Sequence, residues 1–172
     1  MMHGDQPRKG SRLDSFIRRL EAQRACLDWA VAAIAPVAGN VVELGLGNGR
    51  TYDHLRTRLA GAREIFAFDR QVAAHPACIP DAAHLIVGDF RQTLVPFVAR
   101  HAGGVALLHA DIGSGDEAAT AALARWLGPV IAPLLRAGAI VLSDQPLEIA
   151  CASPQPLPPG VPPGRYFVYR AG

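Results

Sequence analysis

The hydrophobic pattern of the chain has a helical period near its start and changes to short apolar runs further on. Over residues 13–34, apolar side chains recur at intervals of three and four, which predicts one amphipathic helix. Ser11, followed three positions later by Asp14, has the spacing of a capping box at the start of this helix, and Pro36 ends it. We therefore expect an N-terminal helical segment over residues 11–38.

Five short apolar runs follow, separated by segments with helical patterning. Each run is apolar almost throughout, as expected of strands that are buried on both faces of a parallel sheet. The predicted strands are residues 41–44, 65–68, 85–87, 105–109 and 139–142, and the predicted helices are residues 51–59, 93–101 and 116–135. This alternation indicates right-handed βαβ units in an open, doubly wound α/β sheet.

The last part of the chain departs from this alternation. Residues 146–164 are rich in proline, which excludes a regular helix or central strand and predicts a loop. Residues 165–170 predict a final strand, antiparallel at the edge of the sheet. The expected fold is one domain over residues 1–172, a Rossmann-like three-layer α/β/α sandwich with a mostly parallel sheet that is truncated after strand five. We expect the N-terminal helical segment and the Pro-rich loop to form a lid.

Composition limits the classes of function. With 172 residues, half of them hydrophobic, the chain has the size and content of one globular domain. No apolar run approaches the roughly 20 residues that cross a bilayer. Residues 1–12 are too polar for a secretory signal, so we expect a cytoplasmic protein with no membrane partner. The three cysteines are too widely spaced for a disulfide framework or a zinc site.

The formal net charge of +2 raises the question of a nucleic-acid partner. Three acids, Asp5, Asp14 and Glu21, are interleaved with the basic residues near the start of the chain. This mixture favours the solvated face of a helix over a phosphate-binding strip. We therefore expect no nucleic-acid partner.

An acidic residue closes or follows every predicted parallel strand: Glu43, Asp69, Asp89, Asp111 and Asp144. In open α/β sheets, ligands bind at the carboxyl ends of the strands, where the strand order reverses. These five acids are therefore expected to surround one ligand site.

The first strand leads into a loop with glycine at alternate positions, Gly45, Gly47 and Gly49. Glycines in such a loop allow positive φ angles and let the backbone approach a ligand closely. A dinucleotide site requires Gly-x-Gly-x-x-Gly, and Arg50 occupies the sixth position here, so an NAD-type oxidoreductase is the weaker alternative. No P-loop tripeptide is present either.

Residues 41–49, a hydrophobic strand followed by acid-x-Gly-x-Gly-x-Gly, resemble the first motif of class I S-adenosyl-L-methionine-dependent methyltransferases. The resemblance extends over residues 41–145 and implies that S-adenosyl-L-methionine is the cofactor. The cofactor-binding residues that it implies are Glu43, Gly45, Leu46, Gly47, Asn48, Gly49, Asp69, Arg70, Gly88, Asp89, Phe90 and Asp111.

Three of these residues are given particular roles by the resemblance. Asp69 is placed to accept both ribose hydroxyls, because one carboxylate offers two oxygens to two neighbouring donors. Asp89 corresponds to the residue that accepts a hydrogen bond from the adenine amino group, with Phe90 packed on the ring. Asp89 also has the sequence position of a helix N-cap, and one residue can serve both purposes.

The catalytic candidates follow the fourth strand. Asp111 and His109 lie where such enzymes contact the methyl group, and His109 is the candidate general base. The Asn/Asp-Pro-Pro-aromatic motif of amino-group methyltransferases and the Pro-Cys pair of cytosine C5 enzymes are absent, so the expected acceptor is a small molecule. A module that binds the cofactor without turnover remains an alternative. A homodimer whose subunits close each other's sites is a hypothesis for the assembly of the enzyme.

The fifth strand resembles that of small-molecule O-methyltransferases that bind a divalent cation. Asp111, Asp144 and Gln145 occupy the matching positions. Gln145 replaces an asparagine, and its extra methylene moves the amide oxygen, so a polar strand end is the alternative interpretation to a magnesium site.

Overall fold

The structure is a computed structural model, in which residues 10–172 are described. Residues 1–9, which include most of the predicted polar start and Asp5, lie outside the described residues. The helices are α1 (Arg12–Ala33), α2 (Arg50–Leu59), α3 (Phe90–His101) and α4 (Glu117–Ile131). The strands are β1 (Asn40–Leu44), β2 (Ile65–Asp69), β3 (Leu85–Val87), β4 (Val105–Ala110), β5 (Leu135–Ser143), β6 (Ala152–Pro154) and β7 (Phe167–Ala171). Two 3-10 turns lie at Pro76–Cys78 and Ala132–Leu134.

The seven strands form one sheet in the order β3-β2-β1-β4-β5-β7-β6. The first five strands are parallel to one another, and β7 is antiparallel to both of its neighbours. The order reverses between β1 and β4, which is the point where ligands bind in such sheets. The predicted fold class, a Rossmann-like sandwich with a mostly parallel sheet, is confirmed.

The end of the chain differs from the prediction. The sheet does not stop after strand five with one added edge strand, as predicted. Two strands follow β5, and β7 lies between β5 and β6, so that β6 is the edge strand. The Pro-rich segment 146–164 contains β6 and also packs into the domain, with Leu147, Ile149 and Val161 buried. The amide of Leu147 donates to the hydroxyl of Tyr169 at 2.8 Å. This segment is therefore a packed part of the sandwich.

The helices cover both faces of the sheet. Leu27 of α1 and Leu55 of α2 are fully buried against one face, and Leu94 of α3 and Leu127 of α4 against the other. A fully buried leucine stabilises a fold by about 1.5–3 kcal/mol relative to an exposed one. Gly128 of α4 lies so close to the loop after β5 that a Cβ there would overlap a carbonyl oxygen.

The start of α1 has the predicted capping box. The Ser11 amide donates to Asp14 at 2.7 Å, and the Asp14 amide donates to the Ser11 hydroxyl at 3.1 Å. The Ser11 hydroxyl also donates to the Asp14 carboxylate at 2.8 Å, and this bond, together with that from the Ser11 amide, lowers the pKa of Asp14 because both stabilise its charged form. Within residues 10–172, no helix is long and apolar enough to span a membrane.

Candidate functional site

A cavity of about 370 Å³ lies at the carboxyl ends of β1, β2 and β4. Its volume falls at the lower end of the roughly 300–1,000 Å³ typical of small-molecule sites. The lining residues come from all four helices, the glycine loop, the end of β2 and the loops that follow β2 and β4: Phe16, Arg19, Leu20, Gln23, Gly45, Leu46, Gly47, Asn48, Arg50, Thr51, Asp69, Arg70, Phe90, Asp111, Ile112, Gly113, Ser114 and Leu123. The cavity therefore unites the glycine loop with most of the predicted site residues.

Two glycines of the loop have different spatial reasons to be glycine. Gly45 has φ +91°, and a Cβ there would overlap the carbonyl oxygen of Asp111. Gly47 has φ +52°, and nothing lies within 4 Å of the position of its missing Cβ. Gly45 thus allows the ends of β1 and β4 to approach closely, whereas Gly47 gives the loop a positive φ angle at a position without close contacts.

Asp69 connects β2 to the loop. Its Oδ2 accepts a hydrogen bond of 2.8 Å from the Gly47 amide, which holds the carboxylate at the cavity wall. The neighbouring Arg70 also lines the cavity and is exposed. The two residues predicted at the end of the second strand therefore lie side by side at the site.

The residues after β3 lie beside a second recess. Asp89 and Phe90 line a space of about 170 Å³ that shares five lining residues with the main cavity, namely Arg70, Phe90, Ile112, Ser114 and Leu123. Asp89 Oδ1 accepts from the Arg91 amide at 2.8 Å, so the predicted cap of α3 is confirmed. Within residues 10–172, Asp89 Oδ2 has no hydrogen-bond partner. One oxygen thus caps the helix while the other is available to a ligand.

The carboxylate of Asp111 lies in the cavity wall and is bound by two residues of α1. Arg19 donates to Oδ1 at 3.0 Å, and the amide nitrogen of Gln23 donates to Oδ2 at 3.1 Å. The Asp111 side chain is 23% exposed, against 47% for Arg19. The sequence analysis assigned neither α1 residue to the site.

Glu43 and His109 form a fully buried pair beneath the glycine loop. Glu43 Oε2 lies 2.8 Å from His109 Nδ1, and its Oε1 accepts from the hydroxyl of Thr51. His109 Nε2 lies 2.9 Å from the hydroxyl of Tyr166, which is also buried. Because both ring nitrogens are occupied and His109 does not line the cavity, its position does not support the predicted role of general base.

The electrostatics of this pair follow from burial and charge. Burial by itself lowers the pKa of His109, but the nearby carboxylate of Glu43 outweighs this effect, so the pKa is raised. Burial raises the pKa of Tyr166, which keeps its hydroxyl protonated. The buried charge of Glu43 is therefore compensated by direct hydrogen bonds, as buried charges require.

The candidate cation ligands have other partners. Asp144 Oδ1 accepts from the Ile112 amide at 3.0 Å, and its Oδ2 accepts from the Gly113 amide at 2.8 Å. Burial raises the pKa of Asp144. Neither Asp144 nor Gln145 lines the cavity, and among residues 10–172 no group of three His, Cys, Asp or Glu side chains is arranged to hold a metal. Asp144 instead fixes the loop that follows β4.

Other predicted residues lie near the cavity without lining it. Gly49 packs against Cys78, and Gly88 packs against Thr93. Ten lining residues were not predicted from the sequence. Four of them lie on α1, namely Phe16, Arg19, Leu20 and Gln23, and the other six are Arg50, Thr51, Ile112, Gly113, Ser114 and Leu123. None of residues 146–164 lines the cavity, so of the two predicted lid segments only α1 contacts it.

Comparisons with known proteins are consistent with this geometry. Residues 10–171 match the model of a family described as S-adenosyl-L-methionine methyltransferase. The structure is similar to that of an S-adenosyl-L-methionine methyl transferase from Silicibacter pomeroyi DSS-3, with a TM-score of 0.89 and 44% identity over 95% of this chain and 100% of that chain. No curated protein matches the chain.

More distant structures share the fold alone. A protein from Corynebacterium glutamicum has a TM-score of 0.60 and 10% identity, over 96% of this chain and 92% of that chain. TrmN from Thermus thermophilus has a TM-score of 0.57 and 16% identity, over 88% of this chain and 52% of that chain.

Proposed function

Because the chain belongs to the S-adenosyl-L-methionine methyltransferase family, we propose that its main cavity binds S-adenosyl-L-methionine and admits a small-molecule acceptor. Family membership confirms the predicted activity and cofactor and decides against the dinucleotide oxidoreductase and the module without turnover. The site residues and the acceptor class are our proposal. Bound S-adenosyl-L-methionine supplies an activated methyl group on its sulfonium.

The observation that carries the assignment is the open side of the glycine loop at Gly47. Apart from Gly47 and its two chain neighbours, no residue has a heavy atom within 4 Å of the position that a Cβ would take there, and Gly47 lines the same cavity as Asp69 and Asp111. A loop with this free space and two nearby carboxylates fits a ligand that carries hydroxyl groups and positive charge. S-adenosyl-L-methionine has both, with a ribose, an ammonium and a sulfonium.

We assign the nucleoside end to the ends of β2 and β3. Asp69, whose Oδ2 already accepts from Gly47, receives the ribose hydroxyls. The free Oδ2 of Asp89 accepts a hydrogen bond from the adenine amino group, and the ring of Phe90 packs on the base. Arg70 lies between the two recesses and borders the base.

The amino-acid end is assigned to the ion pair between Arg19 and Asp111. A methionyl group carries an ammonium and a carboxylate on one carbon, and Asp111 with Arg19 offers the complementary charges 3.0 Å apart. When the ligand binds, Asp111 exchanges the Arg19 guanidinium for the ligand ammonium, and Arg19 exchanges the Asp111 carboxylate for the ligand carboxylate. Electrostatic matching of this kind favours the zwitterion over ligands that carry one charge only.

The acceptor enters beside α1 in this proposal. Phe16 and Leu20 form an apolar wall, which fits a small organic acceptor and excludes water from the methyl group. Transfer then depends on positioning of the two reactants and needs no base for an acceptor that has already lost its proton.

The homodimer and the cytoplasmic location stay predictions. Light scattering that detects only monomer would refute the homodimer.

Calorimetric titration with S-adenosyl-L-homocysteine, the demethylated product, tests the assignment. We expect the wild type to bind it and Asp69→Ala to lose at least about tenfold in affinity, because two hydrogen bonds to a charged group are removed. Asp81→Ala removes a carboxylate that does not line the cavity and is the matched control, with unchanged affinity expected. Absence of binding by the wild type at millimolar ligand would refute the cofactor site.

A further inference from the structure

Five polar side chains are hydrogen-bonded in a line that runs from beneath the glycine loop to the cavity. Glu43 contacts His109, His109 contacts Tyr166, Tyr166 contacts Gln23, and Gln23 contacts Asp111. The four distances are 2.8, 2.9, 2.8 and 3.1 Å. The first four side chains belong to buried residues, and of the five only Gln23 and Asp111 line the cavity. We call these five residues the buried relay.

The direction of each hydrogen bond in the buried relay follows from its partners. The amide nitrogen of Gln23 only donates, and it contacts both the Tyr166 hydroxyl and the Asp111 carboxylate. When His109 carries one proton, the Tyr166 hydroxyl hydrogen is directed at His109 Nε2, and the Nδ1 hydrogen of His109 is directed at Glu43 Oε2. With one proton on the ring, every polar hydrogen in the line has an acceptor.

The buried relay orients groups and does not conduct protons. Its step from Tyr166 to Asp111 passes through a single amide nitrogen of Gln23, which donates to both sides and accepts from neither. A proton released in the cavity therefore has no route to His109. What the arrangement does provide is a fixed rotamer for Gln23, with its nitrogen, and not its oxygen, facing Asp111.

The two supports of Asp111 differ in rigidity. Arg19 reaches it from a side chain that is 47% exposed, so this contact is free to exchange. Gln23, in contrast, is only 6% exposed, and its side-chain amide is held by a hydrogen bond to Tyr166. The ring of Tyr166 in turn lies nearly parallel to that of His109. When Arg19 turns to a ligand carboxylate, Gln23 is the contact that remains.

We propose that Gln23 and Tyr166 are positioning residues that orient Asp111 toward the cofactor's ammonium group, so that the site selects ligands that carry the α-amino group. The inference rests on the proposed function, since it takes Asp111 as the partner of that ammonium. Glu43 and His109 provide the buried anchor of the line. Stability alone does not account for the arrangement, because a buried polar network adds little to stability compared with apolar packing.

The test compares two ligands by calorimetry: S-adenosyl-L-homocysteine and its analogue with hydrogen in place of the α-amino group. The wild type is expected to prefer the amino-bearing ligand. Tyr166→Phe removes the hydroxyl that holds Gln23, and we expect the preference to fall by about three- to tenfold, the value of one lost hydrogen bond. Affinity for the deaminated ligand should stay unchanged, because that ligand makes no contact with Asp111.

Tyr169→Phe is the matched control. It also removes a buried tyrosine hydroxyl, on the opposite face of the sheet from Tyr166. This hydroxyl has one protein partner, the Leu147 amide at 2.8 Å, whereas that of Tyr166 has two. The control should lose stability without changing the ratio of the two dissociation constants. Gln23→Met, which keeps the length of the side chain without its amide, should reduce the ratio as Tyr166→Phe does.

The outcomes separate this inference from the proposed function. If the wild type binds neither ligand, the cofactor site itself is wrong, and the inference falls with it. If the wild type binds both ligands but the ratio is unchanged in Tyr166→Phe and Gln23→Met, only the positioning role is refuted. If neither variant folds while Tyr169→Phe does, the relay serves stability, which also overturns the proposal.

Discussion

Alanine at two positions of the glycine loop should separate stability from binding. At Gly45, a Cβ would lie closer to the carbonyl oxygen of Asp111 than the 3.0 Å that real Cβ atoms respect. At Gly47, which lines the cavity, the same atom would meet no neighbour within 4 Å. Gly45→Ala should therefore destabilise the fold, and Gly47→Ala should impair binding.

The magnitudes follow from the geometry. Both positions have positive φ, which costs alanine about 1–2 kcal/mol. Gly45→Ala also forces β1 and β4 to separate until the Cβ reaches the roughly 3.3 Å of an ordinary carbon–oxygen contact. Overpacking of this kind adds about 1–3 kcal/mol. At about 2–4 °C per kcal/mol for a chain of this size, the melting temperature should fall by roughly 10 °C for Gly45→Ala and by only a few degrees for Gly47→Ala.

Thermal unfolding followed by circular dichroism measures the first effect, and calorimetry with S-adenosyl-L-homocysteine measures the second. Gly47→Ala should lose at least about tenfold in affinity, which corresponds to roughly 1.4 kcal/mol. The two variants serve as controls for each other, since they lie two residues apart in one loop. Wild-type affinity in Gly47→Ala, or a Gly45→Ala protein as stable as Gly47→Ala, would refute this reasoning.

Two further predictions concern parts of the molecule outside the cavity. Gly128→Ala should destabilise the fold by about 1–3 kcal/mol in denaturant unfolding, because its Cβ would overlap the backbone carbonyl of Glu148, whereas Gly115→Ala meets nothing within 4 Å and should be neutral. Equal stability of the two variants would contradict the close approach of α4. The hydrogen bond from His84 to Asp81, opposed by burial and aided by Glu64, raises the pKa of His84 above 6.5, so this contact stabilises the fold below that pH and less as pH rises. His84→Gln should therefore lower the melting temperature more at pH about 5.5 than at pH about 9, and a pH-independent difference would contradict the assignment.

The sequence predicted the central sheet well because its strands are buried on both faces. A run such as residues 41–44 has little alternative to a central strand, and the structure places β1 at Asn40–Leu44. β6 escaped detection because it is only three residues long and includes Pro154, which a sheet tolerates at its edge. Its pairing with β7 depends on contacts that no local pattern encodes.

The α1 side of the cavity was missed for a different reason. Helical periodicity shows which face of a helix is buried, but not which strand end that face meets. A signal was nevertheless present, since Gln23 lies three residues after Leu20 and four before Leu27, on the apolar stripe. A polar residue in such a position requires a buried partner, and in the structure its partners are Tyr166 and Asp111.

His109 shows the limit of reasoning from strand ends. His109 lies near the end of β4, two residues before Asp111. Side chains two apart in a strand point to the same face, but Asp111 lies beyond the last residue of β4, where this rule no longer applies. The two residues differ in burial, since His109 is fully buried, whereas Asp111 lines the cavity. The depth of a side chain depends on the helix packed above it, which the strand sequence does not contain.

The hydrogen bond between Gln23 and Tyr166 also bears on how the protein folds. It joins residues that are 143 positions apart in the chain. Contacts of such long sequence separation carry a large loop-closure cost and form late in folding. The support of Asp111 is therefore assembled only after β7 has docked, and ligand affinity should recover later during refolding than helix content does.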